Sequence, residues 1–335
     1  MVVRPVVHGF RRTRWPCCRR LIHGKSAGFF PGQGQERPGQ LIEFQKKFPR
    51  EAAEAVQALR QGLPGSQGEA VERFLLDETT EYANDTSIAQ PANLVCAVAA
   101  YNTKKTVHDF FLGHSLGQIS AFVAAGALSF KDGVTVVGAR GRAMKAAVPN
   151  DGDDYGMVAG LIRAGGTDAK ERIMNALARL RTSGAVQGVV EVANLNSPSQ
   201  IVLSGHVKDC GRVLKAAKIV GVKLQVAIPF HSSLMVLVRE PMAAVIANVH
   251  VGDAQVPVVR NDTSQLVIQA DEVKKAILVG CWAPVDWVGN VERVAEAGVT
   301  AFTGYGHGVD VQAKLVSLIV NSRDNHSSCS VETCF

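Results

Sequence analysis

The pentapeptide Gly113-His114-Ser115-Leu116-Gly117 constrains this chain more than any other stretch. It follows an apolar run, Phe110-Phe111-Leu112, and leads into a small-residue apolar segment at 119–128. Strand, sharp serine-bearing turn and helix together make a nucleophile elbow. Such a turn leaves no room for Cβ atoms beside the serine, so Gly113 and Gly117 clear the space. Ser115 then stands at a helix N-terminus, where free N–H groups and the helix dipole favour developing negative charge. G-x-S-x-G also arises by chance from common residues. The strand before it and the helix after it favour the nucleophile.

With 335 residues, 47% of them apolar and 20% charged, the chain can bury a sizeable core in one large domain or two. No apolar stretch approaches a membrane span, so no membrane association is expected. The net charge of +6 is local. Residues 1–25 hold Arg4, Arg11, Arg12, Arg14, Arg19, Arg20 and Lys25 without an acidic residue. Taking these seven from the 36 Lys and Arg leaves 29, against 30 Asp and Glu. The near-neutral remainder argues against nucleic-acid binding. The Arg-rich, acid-free leader fits a mitochondrial transit peptide, cleaved before Gly28, and hence a matrix location; a basic tail without an address is the plainer alternative. The seven cysteines form no Cys-x-x-Cys pair. Neither a zinc site nor a disulfide framework is indicated, and reduced intracellular thiols are expected.

Helices are expected at 41–61, at 69–78 and from Gln90-Pro91-Ala92 to about Tyr101, with Pro91 in a first turn. Another should run from Phe130 to about Ala147. The polar stretch Pro149-Asn150-Asp151-Gly152-Asp153-Asp154 reads as a boundary. Beyond it come strand 156–162, helix 168–182, strands 189–194 and 200–205, helix 207–219 and strand 223–228. That is the order of a small split β-α-β unit, expected at 149–221 as an insertion in an α/β body. The body occupies 26–148 and 222–320, and a polar, disordered tail is expected at 321–335.

A serine hydroxyl needs a base. Among nine histidines, His231 stands out because it follows a strand and a proline at a loop entering a helix. Spacing alone does not separate it from His206 or His307. Its plain alternative is a structural helix-start histidine, and that of Arg140 is a solvated helix face shared with Arg142 and Lys145.

These residues resemble a known family, the malonyl-CoA:acyl carrier protein transacylases. The matching segments are Phe30-Pro31-Gly32-Gln33-Gly34, Gln90-Pro91-Ala92, the elbow, Arg140-Gly141-Arg142-Ala143-Met144 and Asn194-Leu195-Asn196-Ser197-Pro198. Pro229-Phe230-His231-Ser232-Ser233-Leu234-Met235, Pro284-Val285-Asp286-Trp287 and Gly306-His307-Gly308 complete them. In order and spacing they cover residues 28–320. The resemblance implies a hydrolase-like three-layer α/β core with a parallel sheet, carrying a small ferredoxin-like subdomain. It implies transfer of malonyl from malonyl-CoA to the phosphopantetheine thiol of acyl carrier protein, by a monomer with no bound cofactor or metal.

In that scheme Ser115 is the nucleophile and His231 the general base. The backbone N–H groups of Gln33 and Leu116 form the oxyanion hole. Arg140 pairs with the malonyl carboxylate, and Gln90, Asn196, Phe230, Asn261 and Asp286 contribute to substrate binding. A backbone carbonyl of the Pro284–Trp287 segment orients His231. Phe230 resembles malonyl-selecting rather than methylmalonyl-selecting relatives. The chain departs from the family at Asp286 (usually a neutral amide), Gln118 (glutamate), Arg260 (uncharged) and His307 (proline). A thioester hydrolase using the same serine and an inactive scaffold are the competing readings.

Overall fold

The protein is described from a computed structural model, which covers residues 24–78, 85–162, 169–322 and 329–335. The basic leader lies outside the described residues except for Gly24 and Lys25. The central sheet begins with β1 (Lys25–Phe30), which pairs in parallel with β2 (Phe110–Gly113) on one side and β10 (Val299–Tyr305) on the other. The inner strands β1 and β2 are buried over most of their length, which explains why they read as apolar runs. Side chains nevertheless alternate. Phe30, Phe111 and Val258 enter the main core, whereas Phe29, Leu112 and Val259 enter a second core beneath α11 (Trp287–Glu296) and α12 (Val309–Asn321). Helices thus cover both faces. The short β7 (Val258–Val259) extends the sheet in parallel, and β8 (Leu266–Val267), absent from the sequence reading, closes it antiparallel.

The main core is capped by α1 (Ile42–Lys47), α2 (Pro49–Gly62), α3 (Ser66–Leu76), α4 (Thr86–Lys104), α5 (Gly117–Ala124) and α6 (Phe130–Ala146), and later in the chain by α9 (Arg239–Ala247) and α10 (Ala270–Val279). The helix expected at 41–61 is broken at Phe48-Pro49, where proline starts α2. Pro91 is not in a first turn. Helix α4 begins at Thr86, capped by Asp85, and Pro91 lies inside it. Proline has no N–H for the Ser87 carbonyl one turn back, so Gln67 Nε2 donates to that oxygen instead, at 2.8 Å.

From α6 the chain enters a smaller sheet formed by β3 (Tyr155–Leu161), β4 (Val190–Ser197), β5 (Gln200–His206) and β6 (Val220–Lys223). The order is β6-β3-β5-β4, with antiparallel neighbours. Helices α7 (Ala169–Thr182) and α8 (Val207–Ala216) pack on one face through Val158, Ile201, Leu203, Ile173 and Leu214. On the other face Met157, Ala159, Ala193 and Val202 join the main core. Two boundaries move. The last strand lies at Val220–Lys223 rather than 223–228, so the excursion ends at 223 and residues 224–229 are a connection. β9 (Val285–Asp286), from the body, adds to this sheet in parallel beside β4.

The disorder expected at 321–335 does not hold for its last residues, and 323–328 lie outside the described residues. Ser330–Cys334 forms β11, parallel to β10 at the edge of the central sheet. Phe335 then stacks on Phe44, with ring centres 5.6 Å apart, and meets His307 edge-on at 5.1 Å. The composition is polar, but Val331 and the edge of β10 give the segment a place to pair. Among the described residues no helix is long and apolar enough to cross a membrane.

Candidate active site

The elbow is as tight as its glycines imply. A Cβ on Gly113 would lie 2.0 Å from the Gly117 carbonyl group, and one on Gly117 would lie 2.4 Å from the Phe30 oxygen of β1. Ser115 takes the strained positive φ of 51°, which lifts its hydroxyl out of the strand-to-helix turn. Asn261, just past β7, clamps the turn: its Oδ1 accepts from Ser115 N at 3.1 Å and its Nδ2 donates to Gly113 O at 2.9 Å. Ser115 N–H is therefore occupied. The backbone N–H groups of Gln33 and Leu116 have no acceptor among the described residues.

His231 is the base that the fold brings to Ser115. Residues 224–229 return the chain from the small sheet, and a Ser232 Oγ donation to Pro229 O at 2.7 Å tightens the turn around it. Its φ is +56° and its Nε2 lies 2.7 Å from Ser115 Oγ. His231 Nδ1 lies 2.8 Å from the Ala283 carbonyl. A carbonyl only accepts, so Nδ1 carries the proton and Nε2 presents its lone pair to the serine. Burial, then the nearby Arg140 cation, push the His231 pKa down to about 3, against the pull of Ala283. The ring is a neutral base at physiological pH. The orienting carbonyl belongs to Ala283, one residue before the segment expected to supply it. His206 and His307 lie elsewhere: His206 packs on Tyr155 of β3, and His307 meets Phe335.

Arg140 is 3% exposed, not on a solvated face. Glycines at 138 and 141 let α6 lie close to its neighbours; a Cβ on Gly141 would sit 2.6 Å from Thr86 O of α4. At that separation Arg140 Nη1 donates to Gln90 Oε1 at 2.8 Å, and Nη2 lies 3.3 Å from Gly280 O and 3.4 Å from Ser115 Oγ. Burial lowers the guanidinium pKa, although the direction is countered by Cys281. Among the described residues no carboxylate lies within ion-pairing distance of it. A buried cation whose partners among the described residues are all neutral, beside a nucleophile, is a receptor for an anion.

Other expected contacts have different partners. Asp286 faces neither His231 nor Arg140: it is the N-cap of α11, its Oδ1 accepting from Gly289 N at 3.0 Å. Asn196 Oδ1 accepts from His114 Nε2 at 2.8 Å and its Nδ2 donates to Gln200 Oε1, fastening β4 to the elbow. Phe230 packs into the main core directly before His231. Arg260 is neutralised by a bidentate bond to Asp262, at 2.5 and 2.8 Å. Gln118 Nε2 donates to Val259 O at 3.1 Å and ties α5 to β7. Thr86, outside the motifs named above, also belongs to the site: its Oγ1 donates to Gln33 Oε1 at 2.7 Å and accepts from Gln90 Nε2 at 3.0 Å. Its signal is a polar stripe, Thr86, Gln90 and Asn93, at i, i+4 and i+7 of an otherwise apolar helix.

The acyl transferase domain family matches residues 29–280. The malonyl CoA-acyl carrier protein transacylase of Bacillus subtilis is 35% identical over 292 residues, covering 85% of this chain and 87% of the relative. An acyl carrier protein S-malonyltransferase structure from Vibrio cholerae superposes with a TM-score of 0.79 at 28% identity, covering 92% of this chain and 96% of that one. A malonyl-transacylase solved in complex with a type II polyketide synthase acyl carrier protein gives 0.78 at 27% identity, over 92% and 94% of the two chains. By elbow, dyad and these likenesses, the chain belongs to the acyl transferase domain family, as a relative of the malonyl CoA-acyl carrier protein transacylases.

Proposed function

We propose that the protein moves the malonyl group of malonyl-CoA onto the phosphopantetheine thiol of acyl carrier protein, for fatty acid synthesis. The observation that carries this reading is Arg140, a buried guanidinium with no carboxylate partner among the described residues, 3.4 Å from Ser115 Oγ. A planar guanidinium matches a carboxylate through two parallel hydrogen bonds, so an acyl group ending in a carboxylate completes the site.

Ser115 Oγ attacks the thioester carbonyl and gives its proton to His231 Nε2. The tetrahedral oxyanion lies against the free N–H groups of Gln33 and Leu116. Collapse expels CoA thiolate, which takes the proton from His231. The carrier thiol then repeats the sequence in reverse, its proton passing through the same nitrogen. Asn261 acts by holding the elbow and Gln90 by orienting Arg140; Asp286 is assigned no substrate contact.

The sheet order β6-β3-β5-β4 with two helices on one face supports the ferredoxin-like description of the small unit, and the elbow between parallel β2 and α5 supports the hydrolase-like description of the body. The dyad and Arg140 come from one chain, so the site needs no second copy, and a monomer is the simplest form consistent with that. The acid-free Arg-rich leader supports a mitochondrial matrix setting.

Incubation with malonyl-CoA should add one malonyl group, read by intact mass, and the adduct should vanish in Ser115→Ala. Arg140→Ala should cut malonylation about a hundredfold while sparing acetylation from acetyl-CoA, because only the malonyl ester loses its charge partner. An adduct that survives Ser115→Ala, or an unchanged malonyl-to-acetyl ratio, overturns the reading. Malonate release without carrier, outrunning transfer, would mark a hydrolase instead.

A further inference from the structure

Two polar side chains that the chemistry above does not use, Glu36 and Asn93, meet beneath the loop carrying Gln33. Asn93 Nδ2 donates to Gly32 O at 2.8 Å and to Glu36 Oε1 at 3.0 Å. Glu36 Oε2 accepts from Gly34 N at 2.9 Å. The placement matters because of peptide geometry. Gly32 C=O and Gln33 N–H belong to one planar trans peptide and point in opposite directions. A donor that holds the Gly32 oxygen from below therefore aims the Gln33 N–H away from itself. The next peptide is fixed through Gly34 N–H, at a residue whose φ of +123° only glycine adopts readily. Both peptides flanking Gln33 are thus held by the same pair.

Asn93 is 4% exposed, and its Oδ1 has no partner among the described residues. A buried amide that leaves its acceptor unpaired is costly, and its orientation here serves the two acceptors facing Nδ2. Asn93 also lies three residues beyond Gln90, which holds Arg140, so one face of α4 reaches both the loop and the guanidinium.

We propose that Glu36 and Asn93 are positioning residues that aim the Gln33 N–H at the oxyanion. The proposal rests on the acyl-transfer reading of Ser115.

The test is single-turnover malonylation of the full chain, followed by intact mass, for Glu36→Ala, Glu36→Gln, Asn93→Leu and the Glu36→Ala/Asn93→Leu pair, with thermal unfolding recorded for each. Removing one oxyanion donor costs about 10²–10³-fold in rate; a misaimed one should cost about 10–100-fold. The loss should fall on the acylation rate constant, with the half-saturating malonyl-CoA concentration and the malonyl-to-acetyl ratio within about threefold of wild type. Glu36→Gln retains an acceptor for Gly34 N–H and should recover most of the rate. The double variant should be no slower than the slower single one, because the two side chains act as a unit. Glu36 is half-buried, so its variants provide the answer even if Asn93→Leu does not fold. Wild-type malonylation with an unchanged rate in Glu36→Ala overturns the proposal, as does a loss confined to substrate affinity. Absence of malonylation in the wild type would overturn the transfer reading itself.

Discussion

The His231 ring is held by opposing forces. The Ala283 carbonyl favours the protonated form, but burial and Arg140 outweigh it and lower the pKa to about 3. A general base works in its neutral form, so activity is present above the folded pKa and lost as pH falls through it. The acid limb of kcat/KM, which reports the free enzyme, should therefore lie well below the ordinary histidine value of about 6.5. In Arg140→Ala the limb should move up, because a repelling cation has gone; a limb near 6.5 in the wild type would show that burial does not govern the ring. The sequence made both partners of this balance visible as types. It did not show their proximity, which comes from the return of residues 224–229 and from the close packing of α6 on α4.

Asp286 shows how an element can claim a side chain expected at the site. The first N–H groups of a helix need acceptors, and Asp286 stands directly before α11, so its carboxylate turns to Gly289 N. Asp286→Ala should cost about 1 kcal/mol in a denaturant titration, while Asp286→Asn, a comparable cap, should cost little. Neither should alter the malonyl-to-acetyl ratio; a change in that ratio would return Asp286 to the substrate. The tail is another case. Residues 321–335 carry too little apolar content to read as structured, yet Val331 pairs with Phe302 and packs on the second core. Val331→Asp should destabilise the protein by about 1–2 kcal/mol, through lost burial and a charge against the sheet. No change in unfolding midpoint would show that β11 contributes nothing. Strand existence here depends on an available edge of β10, a long-range fact that local composition does not contain.

Across the molecule, the elbow and the α/β order were legible because each rests on a local rule, whereas His231 was set apart from His206 and His307 only by the family resemblance. The joins between units were not legible. Asn196 on β4 reaches His114, and Glu191 on the same strand accepts from Ser233 N and Oγ at 2.8 and 2.7 Å, two residues beyond His231. One strand of the small sheet therefore bonds beside both halves of the dyad, at His114 next to Ser115 and at Ser233 two residues past His231. Buried histidines contribute to the response of the fold to acid, His114 and His231 near these joins and His108 against Ser26 and Tyr305 in the central sheet. Burial lowers His108 to about 4 and His231 to about 3, and lowers His114 as well. In the unfolded chain each binds a proton near 6.5, but the folded protein does not until lower pH. Below 6.5 the unfolded state holds more protons, so stability is lost as pH falls through that value towards the folded values, by up to about 1.4 kcal/mol per pH unit for each ring. Unfolding free energy should therefore drop between pH 7 and pH 5, before unfolded-state carboxylates titrate near 4. His108→Phe, which removes a ring bonded to Ser26 and Tyr305, should flatten that slope without changing malonylation. A flat stability curve over that range in the wild type would mean that these rings take up protons in the folded state as readily as in the unfolded one.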